Sequence, residues 1–136
     1  MNRSMLLAYQ LLTGISDTST GALLMIAPQL VLELLRLQAP SGQTVYLSLV
    51  GTFVLAVGIS NLYGAFVIFC GGGRRDLEMV WLLTAFTRSS VAIFVFQQVM
   101  ASTLAAGWLL VAIFDGMCVM IQAVGLRRGW LAHAAR

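Results

Sequence analysis

Leu77–Met100, LEMVWLLTAFTRSSVAIFVFQQVM, decides how the rest of the chain is read. A helix needs about 20 mostly apolar residues to cross the hydrocarbon core of a bilayer, and this stretch is long enough. Its one arginine, Arg88, falls at the centre. A charge held at that depth costs roughly 2.5 to 3.5 kcal/mol on insertion scales, so it has to face protein and find a counter-charge there. Two other apolar stretches carry an aspartate at the same depth, Asp17 and Asp115.

Working outward, the pattern predicts an all-α integral membrane four-helix bundle. It forms a single transmembrane domain over residues 1–136, with spans at about 5–27, 44–70, 77–100 and 103–126. The first span stops at Pro28, whose missing amide proton and fixed φ suit the first position of a new helix. A cleaved signal peptide is the competing reading. Gln10, Thr13 and Asp17 interrupt its apolar region and no small-x-small cleavage site follows, so the helix is expected to be permanent.

Residues 28–38, PQLVLELLRLQ, are too short to cross. Gln29, Glu33 and Arg36 recur at helical spacing against leucine and valine, which suits a short interfacial amphipathic helix or an extramembrane extension of the first span. Ala39–Gln43 then reads as a turn, and Gly71–Arg75 as a connector without the later glycine, lysine and hydroxyl of a nucleotide-binding loop. A turn of a few residues joins the third and fourth spans, which predicts a tight antiparallel pair.

Composition agrees with burial in lipid. Of 136 residues 60% are hydrophobic and 10% charged, too apolar for an ordinary soluble domain. The net charge of +3 comes from arginine alone. Apart from Arg88, those arginines stand at helix ends rather than among exposed aromatics, which argues against nucleic acid as a partner. Four spans put both termini and the glycine-rich loop on one side, with Arg3, Arg74, Arg75, Arg127, Arg128 and Arg136; the other side has Arg36, close to Glu33. The positive-inside rule then places both termini in the cytoplasm of a bacterial inner membrane. That asymmetry also disfavours a dual-topology exporter. Tyr46 and Trp108 at one face, with Trp81 and Trp130 at the other, are expected to be interfacial anchors.

Cys70 and Cys118 differ in depth by ~14 Å, beyond disulfide reach, and the single histidine, His133, lies in the tail. No metal ligand set, nucleophile or cofactor motif emerges, and the chain reads as uncertain as an enzyme, leaning towards none.

Each span contains a heptamer ending in a strongly polar residue: LLTGISD to Asp17, LAVGISN to Asn61, LLTAFTR to Arg88 and LLVAIFD to Asp115. Such matches arise easily in leucine-rich helices, and depth is what they share. Asp17, Arg88 and Asp115 are central, and Asn61 lies roughly 6 Å to the cytoplasmic side. Helical spacing adds Gln10, Thr13 and Thr20 on the first span, Thr84 and Gln98 on the third and Gln122 on the fourth as supporting polar positions. One arginine neutralises one carboxylate and leaves a surplus negative charge. A proton on the second aspartate, hydrogen bonds from Asn61 and the threonines, or a bound cation would each balance it. Gly14, Gly51, Gly58, Gly64, Ala112 and Gly116 supply small surfaces for close helix approach.

In length, in the leucine-rich segment after the first span and in polar residues within the bundle, the chain resembles the DoxX-like group of small four-helix bacterial membrane proteins. That resemblance implies an accessory membrane role, beside partner oxidoreductases or in quinone and sulfur redox processes; it assigns no functional position. The residues themselves predict a non-catalytic subunit or accessory protein of a larger membrane complex, the buried Asp/Arg cluster holding the bundle together. Its partners would be the lipid bilayer and other membrane chains or a homo-oligomer. The alternative is a small transporter, or a binder of a lipophilic ligand or proton, using Asp17, Arg88 and Asp115.

Overall fold

A computed structural model describes residues 2–34, 36 and 44–134. Among them there is no strand. The elements are α1 (Arg3–Ile26), α2 (Pro28–Leu34), α3 (Thr44–Phe69), α4 (Arg74–Met100), a 3-10 turn (Ala106–Trp108), α5 (Leu109–Arg127) and α6 (Trp130–Ala134). Three helical segments are long and apolar enough to cross a membrane: Val45–Phe69, Arg74–Met100 and Ala106–Arg127. The 24 residues of α1 are of similar length, but Gln10, Thr13 and Asp17–Thr20 dilute its apolar character.

Several boundaries differ from expectation. α2 ends at Leu34 rather than Gln38, and Arg36 already has φ 50; residues 35 and 37–43, including the expected turn, lie outside the described residues. α4 starts at Arg74, inside the expected connector. Gly73 is its N-cap, Asp76 in its first turn meets the positive end of the helix dipole, and Arg74 pairs with Glu78 at 2.6 Å. The connection from α4 to α5 is longer than a tight turn. Ser102, at φ 59, reverses the chain while Thr103 and Leu104 amides return to the Gln98 carbonyl, and the 3-10 turn follows before α5 begins. Beyond α5, Gly129 (φ 64) turns the chain into α6, a helix the apolar pattern did not predict.

The helices associate as two pairs. α3 lies along α1 and α4 along α5, with a lesser contact between α3 and α4. The first pair is close because glycines leave room: a Cβ on Gly21 would strike the backbone of Leu55 and Gly51, and one on Gly58 the backbone of Thr18. Arg3 fastens the end of this pair by donating to the Ile68 carbonyl at 2.7 Å and to that of Phe69 at 3.4 Å. Both carbonyls belong to the last turn of α3, beyond the reach of its i to i+4 ladder; that of Ile68 also accepts from the Gly71 amide at 3.3 Å. Gly71 (φ 68) closes that turn, bringing the Gly72 amide to the Val67 carbonyl at 2.8 Å.

α1 keeps its backbone apart from those of α4 and α5 and meets them through long side chains such as Tyr9 and Arg88. At the end where Arg3 lies, the gap is filled by a core of Leu6, Val67, Ile68, Leu77, Val80, Trp81 and Leu131. Leu131 reaches it from α6, which gives that short helix its place. Trp81 is completely buried there, not at an interface as its position in sequence suggested. Its ring lies 5.6 Å from that of Tyr9, tilted by 58°. Trp130 packs, half-buried, against the same core, and Trp108 is half-buried at the opposite end. Tyr46 is exposed. No second cluster of this kind forms among the described residues.

Candidate functional site

The three mid-helix charges do meet. Arg88 on α4 donates from Nη1 to Asp115 Oδ1 on α5 at 2.5 Å and from Nη2 to Asp17 Oδ2 on α1. All three side chains are buried, the arginine most completely. A guanidinium is a rigid fork of donors, and here its two ends are divided between carboxylates on different helices instead of closing on one. The long arginine side chain bridges the gap between the helix pairs that the backbones leave. Phe114 of α5 adds a ring whose centroid lies 5.6 Å from the guanidinium carbon, within cation–π range.

The supporting residues are distributed differently from expectation. Asn61 is fully buried on the α3 face that also carries Gly58 and Gly64, yet neither atom of its amide has a hydrogen-bond partner. It makes no hydrogen bond to the triad. Thr13 and Thr84 turn their hydroxyls back to their own helices, onto the carbonyls of Tyr9 at 2.8 Å and Val80 at 2.7 Å. So neither threonine supports the charges, because a helical threonine finds an acceptor one turn away at little cost. Gln122 donates to Thr84 Oγ1 at 2.8 Å, forming a second polar link between α5 and α4, one turn from Arg88 along α4 and about two turns from Asp115 along α5.

Gln10 is buried against Gly64, in space that a side chain at 64 would take, and both its amide atoms lack a partner. Gln98 is removed from the centre: it receives the Thr103 hydroxyl at the α4 terminus, on its carbonyl at 2.8 Å and its Oε1 at 2.5 Å. Thr20 is half-buried one turn from Asp17. Both cysteines are free, Cys70 exposed and Cys118 buried.

Two contributors went unnoticed in the sequence. Tyr9, at a helix position flanked by leucines and alanine, places its hydroxyl 3.5 Å from the Cys118 carbonyl and its ring on Trp81, so it spans α1, α4 and α5. Phe114 looked like one more apolar residue beside Asp115. In each case an aromatic ring sits next to a polar stripe member, Gln10 or Asp115, and that adjacency was the available signal.

Chemically the centre is a three-membered ion cluster of formal charge −1, and the buried interior of the bundle holds further polar atoms with unmet hydrogen-bonding capacity. Arg88 Nε, Gln122 Oε1, Trp81 Nε1 and Thr18 Oγ1 share that state with the amides of Gln10 and Asn61. An unpartnered buried polar atom costs roughly 1 to 3 kcal/mol. The set is therefore a substantial departure from a core built for stability alone.

No protein-family model, no curated protein and no solved structure matches the chain.

Proposed function

We propose that this chain is a multi-pass protein of the bacterial inner membrane with both termini in the cytoplasm, in which α1 forms a fourth span beside α3, α4 and α5. Its role is that of a small accessory subunit in a larger membrane complex, and the Asp17–Arg88–Asp115 cluster locks its two helix pairs together. One observation carries this reading: Arg88 divides its guanidinium between carboxylates on α1 and α5, the arrangement of a fastener. Charge inside and bulky apolar side chains outside is the inverse of a soluble domain. Leu12, Phe53, Phe66, Phe86 and Ile113 are all more than half exposed, and lipid or neighbouring chains would cover them. Gentle extraction from the native membrane followed by mass analysis should recover the chain with a second membrane protein, and a lone monomer at native abundance contradicts the subunit role.

A second reading, a transporter or a binder of a small ligand or proton, is favoured by the unpartnered amides of Asn61 and Gln10 and by the unbalanced charge of the cluster. Reconstituted vesicles would then show flux or binding that Asp115→Asn abolishes while helicity is kept. Undiminished activity in that variant removes the cluster from the site.

A further inference from the structure

The apolar core at the Arg3 end has a cationic rim. Leu6, Leu77 and Leu131 pack in one cluster at 1% exposure or less, and an arginine stands three positions before each of them: Arg3, Arg74 and Arg128. Arg75 and Arg127 flank these, and all five side chains are exposed. Arg128 is held at the rim by folded chain. Its amide and that of Gly129 return to the carbonyls of Val124 at 2.9 Å and Leu126 at 3.2 Å. Gly129 then turns the chain so that Trp130 and Leu131 close on the core, and α6 rests against α1, α4 and α5.

Little at this end neutralises the arginines. Asp76 and Glu78 are the acidic residues there, and among the described residues only Glu78 forms an ion pair, with Arg74 Nε. Arg3 gives its Nη2 to two carbonyls, which carry no net charge. The guanidinium of Arg128 donates to none of the described residues, and Arg74 keeps both of its terminal nitrogens free. Five cations against two carboxylates leave a surplus of three, whereas at the opposite end Arg36 and Glu33 cancel.

Apolar surface adjoins the same arginines. Met5, Phe69 and Met79 are each more than half exposed, and Arg3 donates to the carbonyl of Phe69 itself. A ligand complementary to this end joins an anionic group to an apolar one. We infer that the rim is a docking surface for anionic phospholipid, whose headgroup phosphate accepts from the free guanidinium nitrogens while its acyl chains lie against the neighbouring apolar side chains. The planar fork of donors suits phosphate oxygens, and the surplus charge selects against a zwitterionic lipid, whose ammonium cancels its phosphate. This rests on the membrane-spanning reading and names the lipid class which that reading would place at the Arg3 end.

Tryptophan quenching in reconstituted vesicles tests this. Trp108→Phe removes the indole at the opposite end and leaves Trp130, two residues from Arg128, and the buried Trp81 as reporters. In phosphatidylcholine vesicles, phosphatidylglycerol with brominated acyl chains should quench more than the same fraction of brominated phosphatidylcholine, with a preference of about tenfold in association constant. Arg74→Gln and Arg128→Gln should each lower that preference about fivefold, the effect of one arginine near a charged surface. Arg36→Gln, which removes the same charge at the other end, should leave it unchanged. Added salt should weaken it, and inorganic phosphate should do no more than chloride of equal ionic strength.

Equal quenching by the two lipids overturns the inference with the native arginines alone, whether or not the variants fold. So does an Arg36→Gln effect as large as that of Arg128→Gln, or specific displacement by inorganic phosphate, which would make the rim a site for the free anion. A chain that alkaline washing strips from the vesicles refutes the membrane-spanning reading itself, and the inference falls with it.

Discussion

Replacing Arg88 with methionine removes the only cation from a buried cluster while keeping most of the side-chain volume. Two charge-assisted hydrogen bonds disappear, each worth ~1.5 to 3 kcal/mol, and Asp17 and Asp115 are left facing one another. Breaking a buried ion pair from one side costs about 3 to 5 kcal/mol in soluble proteins, whereas polar contacts between spanning helices average near ~0.6 kcal/mol. The larger figure applies here, because the residue removed is the shared partner of two carboxylates. Arg88→Met should therefore destabilise the fold by about 3 kcal/mol or more. Asp17→Asn is a different perturbation: it leaves Arg88 and Asp115 as a neutral one-to-one pair, with an amide oxygen still able to accept, and should cost about 1 kcal/mol.

Reversible unfolding in mixed detergent micelles, followed by helicity and by tryptophan fluorescence with Trp81 at the junction of the helix pairs, measures both. In a double-mutant cycle the combined variant should be less destabilised than the two single costs added together, since deleting one carboxylate also deletes the repulsion that the loss of Arg88 creates. Were Asp17→Asn to cost as much as Arg88→Met, or the two to prove additive, the surplus-charge account of the cluster would be wrong.

The glycines give a paired test: Gly58→Ala puts a methyl into the backbone of Thr18 and should cost about 1 to 3 kcal/mol, while Gly116→Ala, with open space around it, should be neutral or stabilising by up to ~1 kcal/mol. Asn61→Leu removes two unpartnered polar atoms from the interior and should raise the unfolding midpoint, by about 1 kcal/mol or more in free energy; a clear loss of stability would mean that the amide has a partner in the folded protein. Arg3→Ala frees the carbonyls at the end of α3 and should weaken the fold by about 1 kcal/mol, with faster amide hydrogen exchange confined to the α1 start and the Gly71 turn. Trp81→Ala opens the core between the pairs, with an expected loss of about 3 to 5 kcal/mol in the same micelle titration.

Length and hydropathy made the helices legible because a segment that crosses lipid has to satisfy its own backbone, which leaves little choice but a long apolar helix. Their ends were less legible. Cap chemistry decides them over a few residues, as at Gly73 and Ser102, where local hydrogen bonds moved α4 and α5 from the limits hydropathy suggested. α6 escaped notice because its location depends on Leu131 finding a distant core of α1, α3 and α4 residues. Trp81 was misplaced for a related reason. An aromatic ring near a helix end suits both an interface and a packed junction, and the Tyr9 ring and the space over Gly125 chose the second.

From the sequence alone followed the all-helical class, the central place of Asp17, Arg88 and Asp115 in their apolar stretches, and the expectation that they face inward, since a charge left among apolar surroundings is costly on each helix separately. What only the tertiary structure decided is who pairs with whom. Arg88 bridges both aspartates because the two helix pairs stand far enough apart for one long side chain to lie between them. Asn61 and Gln10 share the depth and burial of partners but make no bond, because hydrogen bonding depends on the relative rotation and spacing of helices, which periodicity along a single chain does not encode.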